Sequence, residues 1–401
     1  MANHIIMQNS FDIIVPRQGT GAISTDTLKE KYGRSDILPM WIADMDFQTP
    51  DFVRAALERR LDHQIYGYSV PKESYWQSIL DWEKKTNHWN IERNHLTFIP
   101  GIVRGIGFVI NCFTAPGDCV VVQPPVYMPF LSLPRDNGRK ILYNPLLFDA
   151  DNGTYAMDTY GLEAICSEHS PKLLILSNPH NPAGIVWPEE TLRKVADICS
   201  RYGVLVISDE IHADMPLFGH VHHPFPTVSE TAAHCSITFA SPSKVFNIAG
   251  LVSSFAVVPD DAIRGKFFSF LEANELNSPL MISAIATEAA YTQGEAWREE
   301  MLSYVTSNIE FLCSYVEREM PLVKVVKPQA SFLVWLDFTA LGLDHESLLD
   351  FITNRARLAL NDGEAFGPGG EGHMRLNVGC PRCKLEDGLG RLAAAYKELN
   401  K

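Results

Sequence analysis

Val204-Leu205-Val206-Ile207-Ser208-Asp209-Glu210 is an apolar run that breaks on two acids, and 35 positions after its aspartate stands Lys244, inside Ser241-Pro242-Ser243-Lys244. The first stretch reads as a strand buried on both faces with a carboxylate at its C-terminal end. The second follows another such run, Ser236-Ile237-Thr238-Phe239-Ala240, and places a lysine among small hydroxyl residues. Further runs of the same kind are Cys119-Val120-Val121-Val122-Gln123, ending at Pro124-Pro125, Leu173-Leu174-Ile175-Leu176-Ser177, ending at Asn178-Pro179, and Ser253 to Val258. Between two of them, Pro188-Glu189-Glu190 opens a helix to about Tyr202, with proline near its start and acids in its first turn. Strands alternating with helices predict an α/β fold whose mostly parallel sheet is covered on both faces. Ligands of such sheets sit beyond the carboxyl ends of the strands, where Tyr127, Asn181, Asp209 and Ser241 all fall.

The pattern changes after about Gly294. A long helix over Glu295 to about Met320 precedes strand-like Val323 to Val326 and Phe332 to Leu336. A helix over Glu346 to Arg357 and a last one from Lys384 follow. The expected organisation is an N-terminal segment, residues 1–50, packed on a small domain and the cleft. A large domain over 51–293 and a small α+β domain over 294–401 complete it. Thr49-Pro50-Asp51 starts the first helix of the large domain.

At 401 residues, 46% of them hydrophobic and 20% charged, the chain can bury a large core. Its net charge of −14 argues against sequence-independent nucleic-acid binding. Met1 to Ser10 lacks a basic-then-apolar leader, and no apolar run is long enough to span a bilayer. A cytoplasmic enzyme without nucleic-acid or membrane partners is expected. The eight cysteines read as free thiols rather than a disulfide framework. Cys380-Pro381-Arg382-Cys383 has no second ligand pair at zinc spacing, and His220-Val221-His222-His223 reads as a solvated loop, so no metal site is expected.

The chemistry-bearing residues assemble around one cofactor. A lysine amine can condense with an aldehyde, and a strand-end aspartate can keep a pyridine nitrogen protonated, which is the pair that pyridoxal phosphate requires. Pro100-Gly101-Ile102-Val103-Arg104-Gly105 is a glycine turn into an amphipathic stretch. It offers free amides and a positive dipole end to a phosphate, with Ser241 and Ser243 as hydroxyl donors. Tyr127 can stack on a flat ring. Asn181 can donate its amide to the phenolic oxygen of the cofactor, with His212 as a second donor. Arg375, read at the start of a strand after Gly369-Gly370-Glu371-Gly372, has the planar fork that suits a substrate carboxylate. Taken singly, each is equally at home as a helix cap, a packed aromatic, a proline-rich turn or an ion pair. No second arginine stands out for a distal carboxylate.

Taken together, Met40 to Phe47, Gly67-Tyr68-Ser69, Ser177 to Gly184, Ser208 to His212, Ser243 to Asn247 and Arg375 to Arg382 resemble a known family. This is the pyridoxal phosphate-dependent aspartate-aminotransferase fold, fold type I, and within it the MalY/PatB group of carbon–sulfur β-lyases, which includes cystathionine β-lyases. The resemblance spans nearly the whole chain. It implies a seven-stranded-type sheet, Lys244 as the cofactor's Schiff-base lysine and Asp209 as the pyridinium partner. It implies Tyr127 stacking on the ring and Asn181 on the phenolic oxygen. Ser241 and the amides around Gly101, Ile102 and Val103 then hold the phosphate, and Arg375 takes the α-carboxylate, aided by a backbone amide near Ala43. It also implies a homodimer with a shared site, in which Tyr68, or less directly Tyr66, reaches the partner's cofactor phosphate. Trp41 to Asp46 would line the substrate entrance. Many aminotransferases of this fold carry arginine eight residues after the lysine; here that residue is Val252, and the β-lyase group also tends to lack that arginine. The reaction this implies is α,β-elimination from L-cystathionine or a related S-conjugate. An aminotransferase with the same site, or a regulatory binding protein on the same fold, are the alternatives.

Overall fold

The computed structural model of the protein describes residues 10–149 and 153–399. The first nine residues of the expected N-terminal segment lie outside the described residues.

Helix α1 (Asp51–Leu61) starts directly after Pro50. A seven-stranded sheet follows, made of β1 (Leu96–Ile99), β2 (Cys119–Val122), β3 (Lys140–Tyr143), β4 (Leu173–Ser177), β5 (Leu205–Asp209), β6 (Ser236–Ala240) and β7 (Ser254–Val257). Its spatial order is β1-β7-β6-β5-β4-β2-β3. Strands β2 to β6 pair in parallel, and β7 runs antiparallel to both β1 and β6. The expected mostly parallel sheet is thus observed, with one reversed strand. Alternation along each strand explains the continuous apolar runs. Val121, Leu174, Leu176 and Val206 pack on one face with Leu192, Val195 and Cys199 of α3 (Glu189–Arg201). Val120, Val122, Leu173, Ile175 and Ile207 pack on the other with Ile106, Val109 and Ile110 of α2 (Ile102–Phe113). With both faces dry, neither set can be polar. Gly105 lets α2 close on the sheet, since a Cβ there would lie 2.6 Å from Ile99 Cδ1.

Pairing of Ser177 with Asp209, and of Asp209 with Phe239, brings the ends of β4, β5 and β6 level. The residues beyond those ends therefore meet along one edge.

The chain continues through α4 (Glu295–Glu319) into a four-stranded antiparallel sheet, β8 (Lys324–Val326), β9 (Leu333–Asp337), β10 (Asn361–Asp362) and β11 (His373–Asn377), in the order β8-β9-β11-β10. Arg375 sits in the middle of β11, opposite Trp335 and Asn361, and not at a strand start as expected. The helix expected over 346–357 divides into α5 (His345–Asp350) and a π-helical turn, Phe351–Arg355. The last helix, α6, is Arg382–Leu399. Among the described residues no helix is long and apolar enough to cross a membrane.

Two asparagines strap the stretch 40–47 between the two sheets. Asn247 accepts from Met45 N at 3.0 Å and donates to the carbonyls of Met45 and Phe47 at 2.9 and 2.8 Å. Asn377 donates to the carbonyls of Ile42 and Asp44 at 2.7 and 2.6 Å. Just upstream, Leu38 and Pro39 pair with Leu358 and Ala359. This segment therefore reaches both the loop after Lys244 and the strand of Arg375.

Candidate active site

A cavity of about 270 Å³ lies at the level ends of β4, β5 and β6 and the N-terminus of α2. Among the residues singled out from the sequence it is lined by Ala43, Gly101, Ile102, Val103, Tyr127, Asn181, Asp209, His212, Ser243 and Lys244. Three others lie elsewhere. Ser241 is buried behind Ser243: its hydroxyl donates to the Ser253 carbonyl at 2.5 Å and accepts from Ser243 N at 3.1 Å. Arg375 stands behind Asn181, and Tyr68 is fully exposed, outside the cavity within one chain.

Lys244 is half-buried, and its Nζ donates to the Ala43 carbonyl at 2.5 Å. Burial lowers its amine to about 8, with the nearby Asp44 and Asp209 opposing and Arg375 adding to the shift. A substantial fraction of the amine is neutral near physiological pH, which a nucleophile or base requires.

Asp209 is buried at the end of β5, and burial pushes its carboxyl up to about 7. A 3.1 Å hydrogen bond from Ile211 N and the Lys244 charge oppose the rise without offsetting it. The site thus holds a carboxylate that lacks a close cation and gains from receiving one.

Arg375 is enclosed, and burial lowers it to about 10. Its partners are neutral oxygens: Asn181 Oδ1 at 2.9 Å, Asn361 Oδ1 at 2.6 Å and the Trp41 carbonyl at 3.1 Å. Its Nε is buried without a partner among the described residues. A buried cation whose hydrogen-bond partners among the described residues are all neutral, and which lies over the Phe366 ring at 5.1 Å, favours an incoming carboxylate. By occupying Asn181 Oδ1, Arg375 also fixes the amide so that Nδ2 is the free end toward the cavity, as a donor role requires.

His212 is buried, with both ring nitrogens unpartnered among the described residues. Burial, reinforced by the Lys244 and Arg375 charges, lowers it to about 3, so it is a neutral ring able to donate one N–H. The first turn of α2 has no side-chain cap, and Gly101 enters it at φ 101°. That positive φ is open to glycine, and the uncapped turn leaves the leading amides free for an anion.

Pyridoxal phosphate fits this set: a half-buried amine, a carboxylate seeking a cation, an orphaned neutral imidazole, an oriented amide and an uncapped helix start. The sequence reading missed Ser253 and Ser254, which also line the cavity, and Arg104, whose position next to Val103 was the available signal. It also missed Asn361, whose pairing with Arg375 depends on strand register. The loop His220 to His223 was expected to be solvated throughout. Instead His222 is buried, with Nε2 2.8 Å from Glu210 Oε2. Glu210 Oε1 further accepts from Ser208 Oγ and Phe225 N, both at 2.8 Å. A carboxylate one residue past the strand end, not at helical spacing, draws that histidine inward. This braces the end of β5 that carries Asp209.

The fold and this cavity define a pyridoxal phosphate-dependent enzyme of fold type I. The chain belongs to the aminotransferase class I and II family, whose sequence model matches residues 36–392. It is 44% identical to cystathionine beta-lyase PatB of Bacillus subtilis (strain 168), over 96% of this chain and 99% of that one. The pyridoxal phosphate-bound C-S lyase of Staphylococcus hominis superposes with a TM-score of 0.90 at 32% identity, covering 97% of this chain and 98% of that one. A pyridoxal phosphate-bound chain from Clostridium difficile 630, provisionally described as an aminotransferase, superposes at 0.94 with 39% identity, covering 97% and 100%. The resemblance to the MalY/PatB group read from the sequence is borne out.

Proposed function

We propose that the protein is a pyridoxal phosphate-dependent carbon–sulfur β-lyase. It cleaves L-cystathionine or related L-cysteine S-conjugates by α,β-elimination to a thiol, pyruvate and ammonia. Lys244 would hold the cofactor covalently, Asp209 would face the ring nitrogen, Tyr127 would stack, and Asn181 with His212 would serve the phenolic oxygen. The α2 amides of Ile102 and Val103, with Ser243, hold the phosphate. When bound, the cofactor supplies an electron sink for charge formed at the substrate Cα. Arg375 binds and orients the α-carboxylate. Lys244, once freed, takes the Cα proton on Nζ, for which a lowered basicity suits it. The observation that favours elimination over amino transfer is Val252. It lines the cavity eight residues after the lysine, where many aminotransferases carry arginine.

The reading includes a cytoplasmic homodimer in which the partner subunit's Tyr68 completes the phosphate site. Its support is the row of exposed apolar residues Leu61, Ile65, Tyr66, Tyr68 and Val70.

The deciding assay supplies L-cystathionine, L-cysteine and other S-conjugates with no 2-oxoacid, and measures thiol and pyruvate. Equal amounts of both are expected. Release from none of them would overturn the lyase reading in favour of the aminotransferase. Within the same assay Arg375→Gln is expected to lower kcat/KM by about 30-fold or more, chiefly through KM, because truncating one side of a buried charge pair costs about 2–5 kcal/mol. An unchanged KM would remove Arg375 from the carboxylate site.

A further inference from the structure

The catalytic cavity opens past Ala43 and Lys244 into a second cleft of about 580 Å³, to which Arg17, Asp44, Asp46 and Asn247 also contribute walls. We infer that Arg17 is a specificity residue here, whose guanidinium receives a carboxylate at the far end of the sulfur substituent, so that the enzyme selects conjugates carrying a second acidic or amino-acid end. The inference rests on the lyase reading and narrows its substrate class.

Hydrogen-bond accounting on Arg17 carries it. A guanidinium has five N–H donors. Nη1 spends two, on Asp44 Oδ1 at 2.9 Å and Asp46 Oδ1 at 3.1 Å. Nη2 spends one, on Asp44 Oδ2 at 2.7 Å. The remaining two, on Nε and Nη2, lie side by side on one edge of the plane and meet no acceptor among the described residues. Two parallel donors on one edge are the geometry that a carboxylate accepts bidentately. The fork is also held in place. Thr20 and Thr25 both donate to the Arg17 carbonyl, at 2.6 and 3.3 Å, and Asp46 is shared with Lys384 at 2.5 Å. The set Arg17, Asp44, Asp46 and Lys384 carries two positive and two negative charges, so an anion arriving on the open edge does not face a net negative wall. Asp44, one residue past the Lys244 acceptor, offers a carboxylate to an accompanying ammonium. Orientation has been settled by the protein's own ion pairs, so less side-chain freedom is lost on binding.

The test compares S-(2-carboxyethyl)-L-cysteine with S-propyl-L-cysteine, which differ at the distal end by the carboxylate, and adds L-cystathionine as the amino-acid-ended case. For wild type, Arg17→Lys and Arg17→Met, kcat/KM is measured for each. Dissociation constants are read in parallel from the cofactor absorbance of the holoenzyme. Wild type is expected to prefer the two carboxylate-ended compounds. Arg17→Met should shrink that preference by about tenfold or more, the effect of losing a bidentate charged contact, with Arg17→Lys in between. A preference that stays within about twofold in both variants, or a wild type that favours the propyl compound, overturns the proposal. If Arg17→Met does not fold, Arg17→Lys decides. If wild type releases thiol from no conjugate, the lyase reading falls, and the ratio of dissociation constants still decides the role of Arg17.

Discussion

Lys244→Ala is expected to lose the visible absorbance of the lysine-bound cofactor and to lower turnover by about 10⁴-fold or more. A positioned proton-transfer group alone contributes about 10²–10⁴-fold, and the covalent attachment is lost with it. An ammonium enclosed in the sheet edge is disfavoured, so the amine falls to about 8, even with Asp44 and Asp209 near enough to oppose the shift. The sign of the pH dependence follows. Only the neutral amine condenses with an aldehyde, so the rate at which apoprotein takes up pyridoxal phosphate covalently should rise through about pH 8 and level off above it. Absorbance spectra of wild type and variant, with stopped-flow uptake between pH 6 and 10, check both statements. A variant that retains the lysine-bound band would reassign the cofactor lysine.

What the sequence disclosed, and what it hid, divides along range. Asp209, Asn181, Tyr127 and Lys244 stand at the ends of buried apolar runs. In a parallel sheet that position alone brings them to one edge, whatever the details of packing. Five of the seven strands were legible for the same reason, since a strand dry on both faces shows no polar alternation, whereas β1 and the partly exposed edge strand β3 were not read. The reversed direction of β7 was not, because a buried run looks the same in either direction. The partners of Arg375 were also hidden. Asn181 lies 194 positions away, and Asn361 meets Arg375 only through the register of β10 against β11. His222 was misread because its carboxylate, Glu210, comes from the strand end rather than from its own loop. Ser241 and Ser243 are equivalent in sequence, yet the turn sends one toward the Ser253 carbonyl and leaves the other in the cavity. Arg17 escaped notice because its open edge is defined by two aspartates 27 and 29 positions downstream.

Asp209→Asn should separate function from stability at a single atom pair. A buried ion pair broken by removing one partner costs about 3–5 kcal/mol. Applied to a carboxylate that holds the cofactor ring protonated, this corresponds to about 10²–10⁴-fold in kcat. KM should change little, since Arg375 and the Lys244 attachment are intact. The apoprotein should respond in the opposite sense. With no cofactor present, burial raises the Asp209 carboxyl to about 7, above its unfolded value near ~3.9. A carboxyl of that kind takes up a proton on folding, so its favourable contribution is complete below about pH 4 and is lost as pH rises through about 7. Asparagine has no such loss. Apo Asp209→Asn should therefore gain on wild type between pH 5 and pH 8, by up to about 2.5 kcal/mol, the part of the shift that titrates within that window. Denaturant melts of both apoproteins at the two pH values, beside steady-state kinetics of both holoenzymes, test the pair of expectations. Lower turnover with a steadier apoprotein at pH 8 marks Asp209 as a charge that costs stability in the empty fold and is offset by the cation it meets there. Loss of stability at both pH values, with cofactor binding unchanged, would instead make Asp209 part of the structural framework of β5.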